Sequence, residues 1–414
     1  MNRNLESYQP IIGDRSVFQL EQLGKNLSGL KVVHVNSTKQ GGGVAEILTW
    51  LIPLKKDLKI DASWEVVMGA EEYFNVTKAF HNGLQGNKVI LTNSMIRAYE
   101  ETVAENAKRL RPILENADFV FIHDPQPAAL IKHCPNRKGK WIWRCHIDVS
   151  RPDVHVWKYI KSLVSGYEAS IFSMPHFAQS LPHPQFIIAP SIDPLSEKNR
   201  ELKSTEISNI LNELDIPDDL PILTQVSRFD RFKDPVGVIR AFNLLKRSVK
   251  ARLVLAGGGA TDDPEGAAVL EEVKDAAGID EKIHVLLLPS DAHTTINALQ
   301  RASKIVIQKS TQEGFGLTVT EAMWKGKPVI AGDVGGIRLQ VHNHHTGFLV
   351  STPEGAALRI MELINHEERI EKMGKTAREF VREHFLLNRH LREYLTLMMG
   401  LRLGVANYLV AQPN

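Results

Sequence analysis

The stretch KIVIQKSTQEGFGLTVTEAMWKGKPVIAG, residues 304–332, holds one complete strand–turn–helix–strand unit. KIVIQKS is a short apolar run of the kind that forms a buried strand. TQEGFGL is a turn. TVTEAMWKG has helical spacing, with Val319, Ala322 and Met323 on one face; Gly326 ends it, and KPVIAG is the next strand. The first amides of a helix have no intrahelical acceptor, so those near Gly316, Leu317 and Thr318 can bind the oxygens of a diphosphate. Glu313 stands before the turn and Glu321 is expected inside the first helical turn. Both can accept hydrogen bonds from hydroxyls of one ligand, such as a sugar and a ribose. Two other readings stand beside this one. Thr318-x-x-Glu321 fits a capping box, in which the glutamate only satisfies the helix end. A glycosidase acid and nucleophile would need opposed carboxyls about 5–5.5 Å apart, which suits a glutamate within a helix beside a phosphate site badly.

The same alternation runs outward in both directions. In the first half, KVVHV, SWEVVMG, DFVFIHD, KWIWRCHID and EASIFSM read as strands, VAEILTWLIPLKKDL as a helix, and QFIIAPSIDPL as a closing extended run. SEKNRELKSTEISNILNEL is expected to be a polar helix, after which the pattern restarts. PILTQVSRF, ARLVLAGGG and KIHVLLLP are strands, and DPVGVIRAFNLLKRSV is a helix. Alternating strands and helices imply parallel sheets covered on both faces. Two such series imply two doubly wound α/β domains, with the boundary near residue 205. Ligands of such sheets bind beyond the carboxyl ends of the strands, so the residues just after each strand are the ones to read.

After KVVHVNS come Gly41, Gly42 and Gly43, between a strand and a helix, where a phosphate or sugar can approach the backbone closely. A tight turn with no ligand would look the same. Glu46 breaks the G-x-G-x-x-G nicotinamide fingerprint, and no Walker A sequence occurs. Asp124, His146 and Asp148 are polar groups at apolar strand ends. One such residue is commonly a cap or a core hydrogen bonder; three at one sheet edge also fit a binding site. Arg228 and Lys233 follow a strand in SRFDRFKDP. An arginine fork with an ammonium close by can clasp a diphosphate, although two solvated loop cations are the commoner outcome. TDDPEG, from Thr261, is better explained as a helix start with Pro264 at its first position than as a metal site.

Composition narrows the class. The chain has 414 residues, 43% hydrophobic and 24% charged, with a net charge of +2. That balance is globular and offers no bulk attraction to nucleic acid or a membrane surface. Two cysteines, Cys134 and Cys145, cannot make a disulfide scaffold and fit a reducing compartment. The opening MNRNLESYQPIIGDRSVFQL has no apolar core of a signal peptide, and ILTWLIPL is too short to span a bilayer, so the cytoplasm is expected.

Taken together, EGFGLTVTEA with its E-x7-E pair, SRFDRFKDP and the early GGG turn resemble the retaining, nucleotide-sugar-dependent glycosyltransferases of GT-B architecture. That architecture has two facing Rossmann-like domains with a cleft between them. HVNSTKQGGGVAEIL, FNVTKAFHNGLQG, HDPQPAALI, WRCHIDVS and PSIDPLSEKN bring the likeness closer, to the trehalose synthases of glycosyltransferase family 4; trehalose phosphorylases share much of the pattern. The resemblance covers nearly the whole chain. It implies an N-terminal acceptor-side domain over 1–205, a nucleotide-sugar domain over 206–380, and C-terminal helices over 381–414, ending in ANYLVAQPN, that pack back on the first domain.

It also implies roles. Arg228 and Lys233 would hold the donor diphosphate with the amides of Gly316, Leu317 and Thr318. Glu321 would hold the nucleotide ribose and Glu313 the donor-glucose hydroxyls. Gly42 and Gly43 belong to the loop that would face the diphosphate. His146 would lie near an outer hydroxyl of the donor sugar, Asp124 near the acceptor, and Asp148 beside them on the acceptor side. His146, Glu313, Arg228 and Lys233 would be the catalytic set. The implied reaction moves glucose from a nucleoside diphosphate glucose to free glucose, forms trehalose with retention, and is reversible. The alternatives are phosphorolysis of trehalose and a non-catalytic sugar-nucleotide sensor. No obligatory cofactor or metal is implied, because the two cations and the helix N-terminus supply the positive potential; a divalent cation would be a stimulant at most. Glucose, trehalose and the sugar nucleotide are the expected partners, with a homodimer as the assembly and no nucleic acid or membrane.

Overall fold

Two six-stranded, wholly parallel sheets order the chain, each within its own compact unit. The computed structural model describes residues 4–39, 42–246, 248–258 and 264–404, without the side chains of 264 and 265. Gly41, residues 261–263 of the TDDPEG stretch and the ANYLVAQPN terminus lie outside the described residues. One unit is Met1–Ser191 with Leu387–Asn414; the other is Ile192–Leu386.

The first unit carries β1 (Lys31–Asn36), β2 (Asp61–Val66), β3 (Phe119–His123), β4 (Lys140–Arg144), β5 (Ala169–Phe172) and β6 (Gln185–Ile187), in the order β2-β1-β3-β4-β5-β6. Its helices are α1 (Gln9–Ile12), α2 (Asp14–Lys25), α3 (Gly43–Asp57), α4 (Glu71–Leu84), α5 (Asn93–Glu115) and α6 (Val154–Val164). Side chains alternate faces along a strand, and register sets which ones are neighbours. Val33, Val35, Val120, Ile122, Trp141 and Trp143 fill one face, packed with Phe80, Tyr99, Leu110 and Ile160 from α4, α5 and α6. The register pairs His34 with Phe121 and His123 with Arg144, so these four share the opposite face. The last helix of the chain, α14 (Leu387–Leu403), belongs to this unit and packs on α2 and α3. Arg389 anchors it by donating to the carbonyls of Ala189 and Pro190.

The second unit carries β7 (Ile222–Val226), β8 (Arg252–Gly258), β9 (Ile283–Leu288), β10 (Ile305–Gln308), β11 (Val329–Gly332) and β12 (Gly347–Val350), in the order β12-β11-β10-β7-β8-β9. The helices α7 (Ser204–Glu213), α8 (Pro235–Leu245), α9 (Pro264–Ala277), α10 (His293–Ala302), α11 (Leu317–Trp324), α12 (Pro353–Ile364) and α13 (Glu367–His384) cover it. Leu223, Leu253, Leu255, Ile305, Ile307 and Phe348 form one buried face, and Ile222, Val254, Ala256 and Leu288 the other. Pro264 does open α9.

The expected polar helix from Ser196 is shorter than its sequence suggests, because α7 begins only at Ser204. Ser196 Oγ and Asn199 Nδ2 both donate to the Asp193 carbonyl, at 2.9 and 3.0 Å, and so tie this stretch into a local turn. Side-chain bonds of this kind compete with the helix ladder.

In each sheet the strand order reverses once, between β1 and β3 and between β7 and β10. Ligands of open α/β sheets bind at such switch points. Among the described residues no helix is long and apolar enough to cross a membrane. None of their His, Cys, Asp and Glu side chains gather in threes in a way that could hold a metal ion.

Candidate active site

In the second unit the switch point gathers most of the expected donor-site residues. Arg228 lies two residues beyond β7, with a largely exposed side chain whose Nη2 donates to Asp230 at 3.3 Å. Lys233 ends a short helical turn over Arg231–Lys233. Its Nζ donates to Glu313 Oε2 at 2.6 Å, and both side chains are largely buried. The two loops are tied by Thr311 N–H, which donates to the Phe232 carbonyl at 2.8 Å. The sequence reading gave Lys233 and Glu313 separate tasks; the structure makes them an ion pair.

The loop after β10 then turns into α11 through Gly316, at φ 87° and ψ 68°, with no side-chain cap. The left-handed backbone favours glycine, and an added Cβ would sit 3.2 Å from Glu313 Cγ. The amides of Leu317 and Thr318 donate to no group among the described residues. The capping box is absent: Thr318 is the second residue of α11, and its hydroxyl reaches Gln308 Oε1 at 3.3 Å. Glu321 is the fifth residue, one place beyond the first turn where it was expected.

Glu321 is 1% exposed, and its Oε2 has no hydrogen-bond partner. The closest cation is Lys198, whose Nζ lies 3.9 Å from Oε1. Below it, buried Lys325 donates to the Glu321 carbonyl at 3.2 Å and to Asn199 Oδ1 at 3.0 Å. Burial pushes the Lys325 ammonium down to about 7. Lys198, Asn199 and Lys325 were not singled out in the sequence. The signal available was the cluster of Asp, Ser and Asn after a proline-bounded extended run, which favours a turn over a helix.

In the first unit Gly42 caps α3 with φ 79° and ψ 157°, and Gly43 is the helix's first residue. An added Cβ at Gly42 would meet nothing within 4 Å, so only its backbone conformation calls for glycine. Asp124 follows β3 in the left-handed region, at φ 64°. Its Oδ1 accepts from the His146 backbone N–H at 2.7 Å, and its carbonyl accepts from Trp143 Nε1 at 3.0 Å. Burial raises its carboxyl to about 7, against the opposing effects of the His146 amide and Arg144. Asp124 and His146 therefore meet, while Asp148 bonds locally, accepting from Ser150 N–H at 3.0 Å.

The His146 ring leads back into the protein. Its Nε2 lies 3.0 Å from His123 Nδ1, His123 Nε2 lies 2.9 Å from His34 Nδ1, and His34 Nε2 lies 2.7 Å from Lys55 Nζ. Lys55 and His34 are fully buried. Burial, reinforced by neighbouring cations, holds His34 and His146 well below the usual histidine range and His123 down at about 3. Burial also lowers Lys55 well below a normal lysine. Only His146 of these four was read from the sequence.

Residues 34–179 match the model of the trehalose synthase N-terminal domain, and residues 206–380 that of glycosyl transferases group 1. The chain is 45% identical over 404 residues to a trehalose synthase of Pyrococcus horikoshii, covering 96% of this chain and 97% of that protein. It is 40% identical over 411 residues to a trehalose synthase of Rubrobacter xylanophilus, covering 98% of both. Among solved structures, a sucrose-phosphate synthase from Thermosynechococcus elongatus superposes with a TM-score of 0.72, covering 91% of this chain and 100% of that one. Its 16% identity bears on the fold alone.

Proposed function

Because the chain belongs to the trehalose synthase family of GT-B glycosyltransferases, we propose that it transfers glucose from a nucleoside diphosphate glucose to free glucose. The product is trehalose, and configuration at the donor carbon is retained. Trehalose-related glycosyl transfer is the family's chemistry; the nucleotide donor and the synthetic direction are the proposal. The observation that carries it is Glu321. A carboxylate oxygen buried without a partner costs about 1–3 kcal/mol, and here it sits one turn inside a helix whose first amides are open. A ribose hydroxyl paired to that oxygen, with the diphosphate on the amides, satisfies both. Phosphorolysis with inorganic phosphate leaves the carboxylate unpaired.

In this reading Arg228, Lys233 and the amides of Gly316, Leu317 and Thr318 take the diphosphate. Glu313, already paired to Lys233, takes donor-glucose hydroxyls. The bond between the sugar carbon and the phosphate oxygen breaks as the acceptor hydroxyl attacks the same face. The leaving oxygen draws the acceptor's proton. His146 meets a sugar hydroxyl, and Asp124 and Asp148 serve the acceptor side. The chain's groups work by positioning the reactants and stabilising charge on the departing diphosphate. Gly42 and Gly43 are proposed for the phosphates on resemblance, and the cytoplasm is proposed because both cysteines are buried and free.

The test is a product assay with free glucose and either UDP-glucose or ADP-glucose, beside a tube of trehalose and inorganic phosphate. Trehalose in a nucleotide tube alone supports the reading and identifies the base. Glucose phosphate in the parallel tube alone overturns it.

A further inference from the structure

The chain of buried nitrogens behind His146 has a direction. A neutral histidine carries one N–H and one lone pair, so each link fixes the next. As an ammonium, Lys55 Nζ is a hydrogen-bond donor only. It lies 2.7 Å from His34 Nε2 and 4.9 Å from the ring centroids of both Phe121 and Tyr394. Those rings present π faces, which attract an N–H or a cation and cannot donate. If Lys55 donates to His34 Nε2, His34 carries its proton on Nδ1 and donates to His123 Nε2. His123 then carries its proton on Nδ1 and donates to His146 Nε2. His146 in turn must carry its proton on Nδ1, and that atom takes no partner among the described residues.

We propose that Lys55, His34 and His123 form a buried relay that fixes the proton of His146 on Nδ1, and so presents His146 as a hydrogen-bond donor to the sugar substrate. The proposal rests on the reading that His146 meets a sugar hydroxyl. The three histidines come from three adjacent strands or their ends, β1, β3 and β4, on the sheet face that Lys55 of α3 and Tyr394 of α14 cover. His34 also stacks on Phe121, with centroids 4.8 Å apart and planes 10° apart, which holds its ring orientation. The remaining polar neighbours do not compete for the ring nitrogens of the relay. His390 Nδ1 is paired with Ser191 Oγ at 2.8 Å, Arg144 Nη2 with Ser173 Oγ at 3.4 Å, and Asp124 Oδ1 with the backbone of His146; Arg144 Nε and Nη1 and His390 Nε2 are buried without a partner and bond to none of the relay nitrogens. Packing alone would be served better by an apolar side chain than by a lysine, whose burial is costly. A donor at this position is what the lysine adds. Lys55, His34 and His123 are positioning residues that act through His146.

Nuclear magnetic resonance of the full-length protein with isotope-labelled histidine reads which ring nitrogen is protonated. The expected result for the unmodified protein is Nδ1–H at His34, His123 and His146; an Nε2–H tautomer at any of the three overturns the relay without a variant being needed. Lys55→Met removes the donor and should shift His146 toward Nε2–H, with kcat/KM for the sugar falling about tenfold. Lys55→Gln, whose amide can still donate, should recover most of that loss. An unchanged His146 tautomer in Lys55→Met also overturns the relay. His146→Ala separates the two claims: normal turnover there removes His146 from the substrate, and with it the proposed purpose of the relay, while the tautomers measured in the unmodified protein still report whether the relay exists.

Discussion

Asp124, which is half-buried, and Glu321, which is buried, are carboxylates that each lie in the segment following a strand beside a switch point. Their surroundings treat them differently. Asp124 is engaged locally: its carbonyl accepts from the Trp143 indole and its Oδ1 from the His146 backbone N–H, which holds His146 in place. Glu321 is more completely buried, yet one of its oxygens accepts nothing. Nearly all buried polar groups in folded proteins are paired, so an unpaired one needs a reason. The contrast separates a carboxylate that shapes a site from one that waits for a ligand.

The largest effect should come from breaking the second kind. Glu321→Met removes the ligand's acceptor and the unsatisfied buried oxygen together. Nucleotide-dependent kcat/KM should fall at least about a hundredfold, a loss of about 2.7 kcal/mol. Stability should shift by no more than about 2 kcal/mol, because relief of the unsatisfied buried oxygen is offset by loss of the carboxylate that faces Lys198 and Lys325. Steady-state assays beside urea unfolding read the two quantities. A variant that loses stability while keeping turnover would make Glu321 a structural residue.

Asp124 should show the reverse balance. Asp124→Ala leaves the His146 amide without its acceptor and puts alanine in the left-handed region, which should cost about 1–3 kcal/mol of stability. Asp124→Asn keeps an acceptor and tolerates that backbone, so it should cost less and change the pH dependence instead. The folded carboxyl is raised to about 7 from its ordinary 3.8, so the folded state holds the proton more tightly than the unfolded chain. Its contribution is fully present below the ordinary value and is lost as pH rises through 7. The slope is at most about 1.4 kcal/mol per pH unit in that window. Urea melts from pH 4 to 8 should show this decline in the parent protein and a flatter profile in Asp124→Asn. Parallel profiles would move the carboxyl back to an ordinary value.

How much of this could be read beforehand follows from the physics of each feature. Buried parallel strands are continuous runs of Val, Ile and Leu, so KVVHV and KIVIQ announce themselves, whereas GFLV, which forms β12, is too short and glycine-led to stand out. Strand-end residues were legible because chain order alone places them: Arg228, Lys233, Glu313 and Asp124 needed no register. The Lys233–Glu313 pair did need it, since it joins loops after different strands. The relay needed more, because His34, His123 and His146 meet only once β1, β3 and β4 are adjacent. One sign of it was present all the same. Lys55 continues the helical stripe of Leu48, Leu51 and Ile52 at the spacing of a buried face, where a lysine is out of place.

The smallest predicted effect sharpens the comparison most directly. Thr318 and Glu321 have the spacing of a capping box, and if they formed one, Thr318→Ala would cost about 0.5–2 kcal/mol. In the structure Gly316 is the N-cap, and the Thr318 hydroxyl makes one long contact to Gln308 Oε1 at 3.3 Å. Thr318→Ala should therefore change stability by less than about 0.5 kcal/mol. Its effect should nearly add to that of Glu321→Met in a double-mutant cycle, because the two side chains share no hydrogen bond and no partner. A coupling of about 1 kcal/mol or more would mean that the two side chains serve the same helix end. Glu321 would then be engaged locally as Asp124 is, and the unpaired oxygen that distinguishes the two carboxylates would no longer point to a ribose.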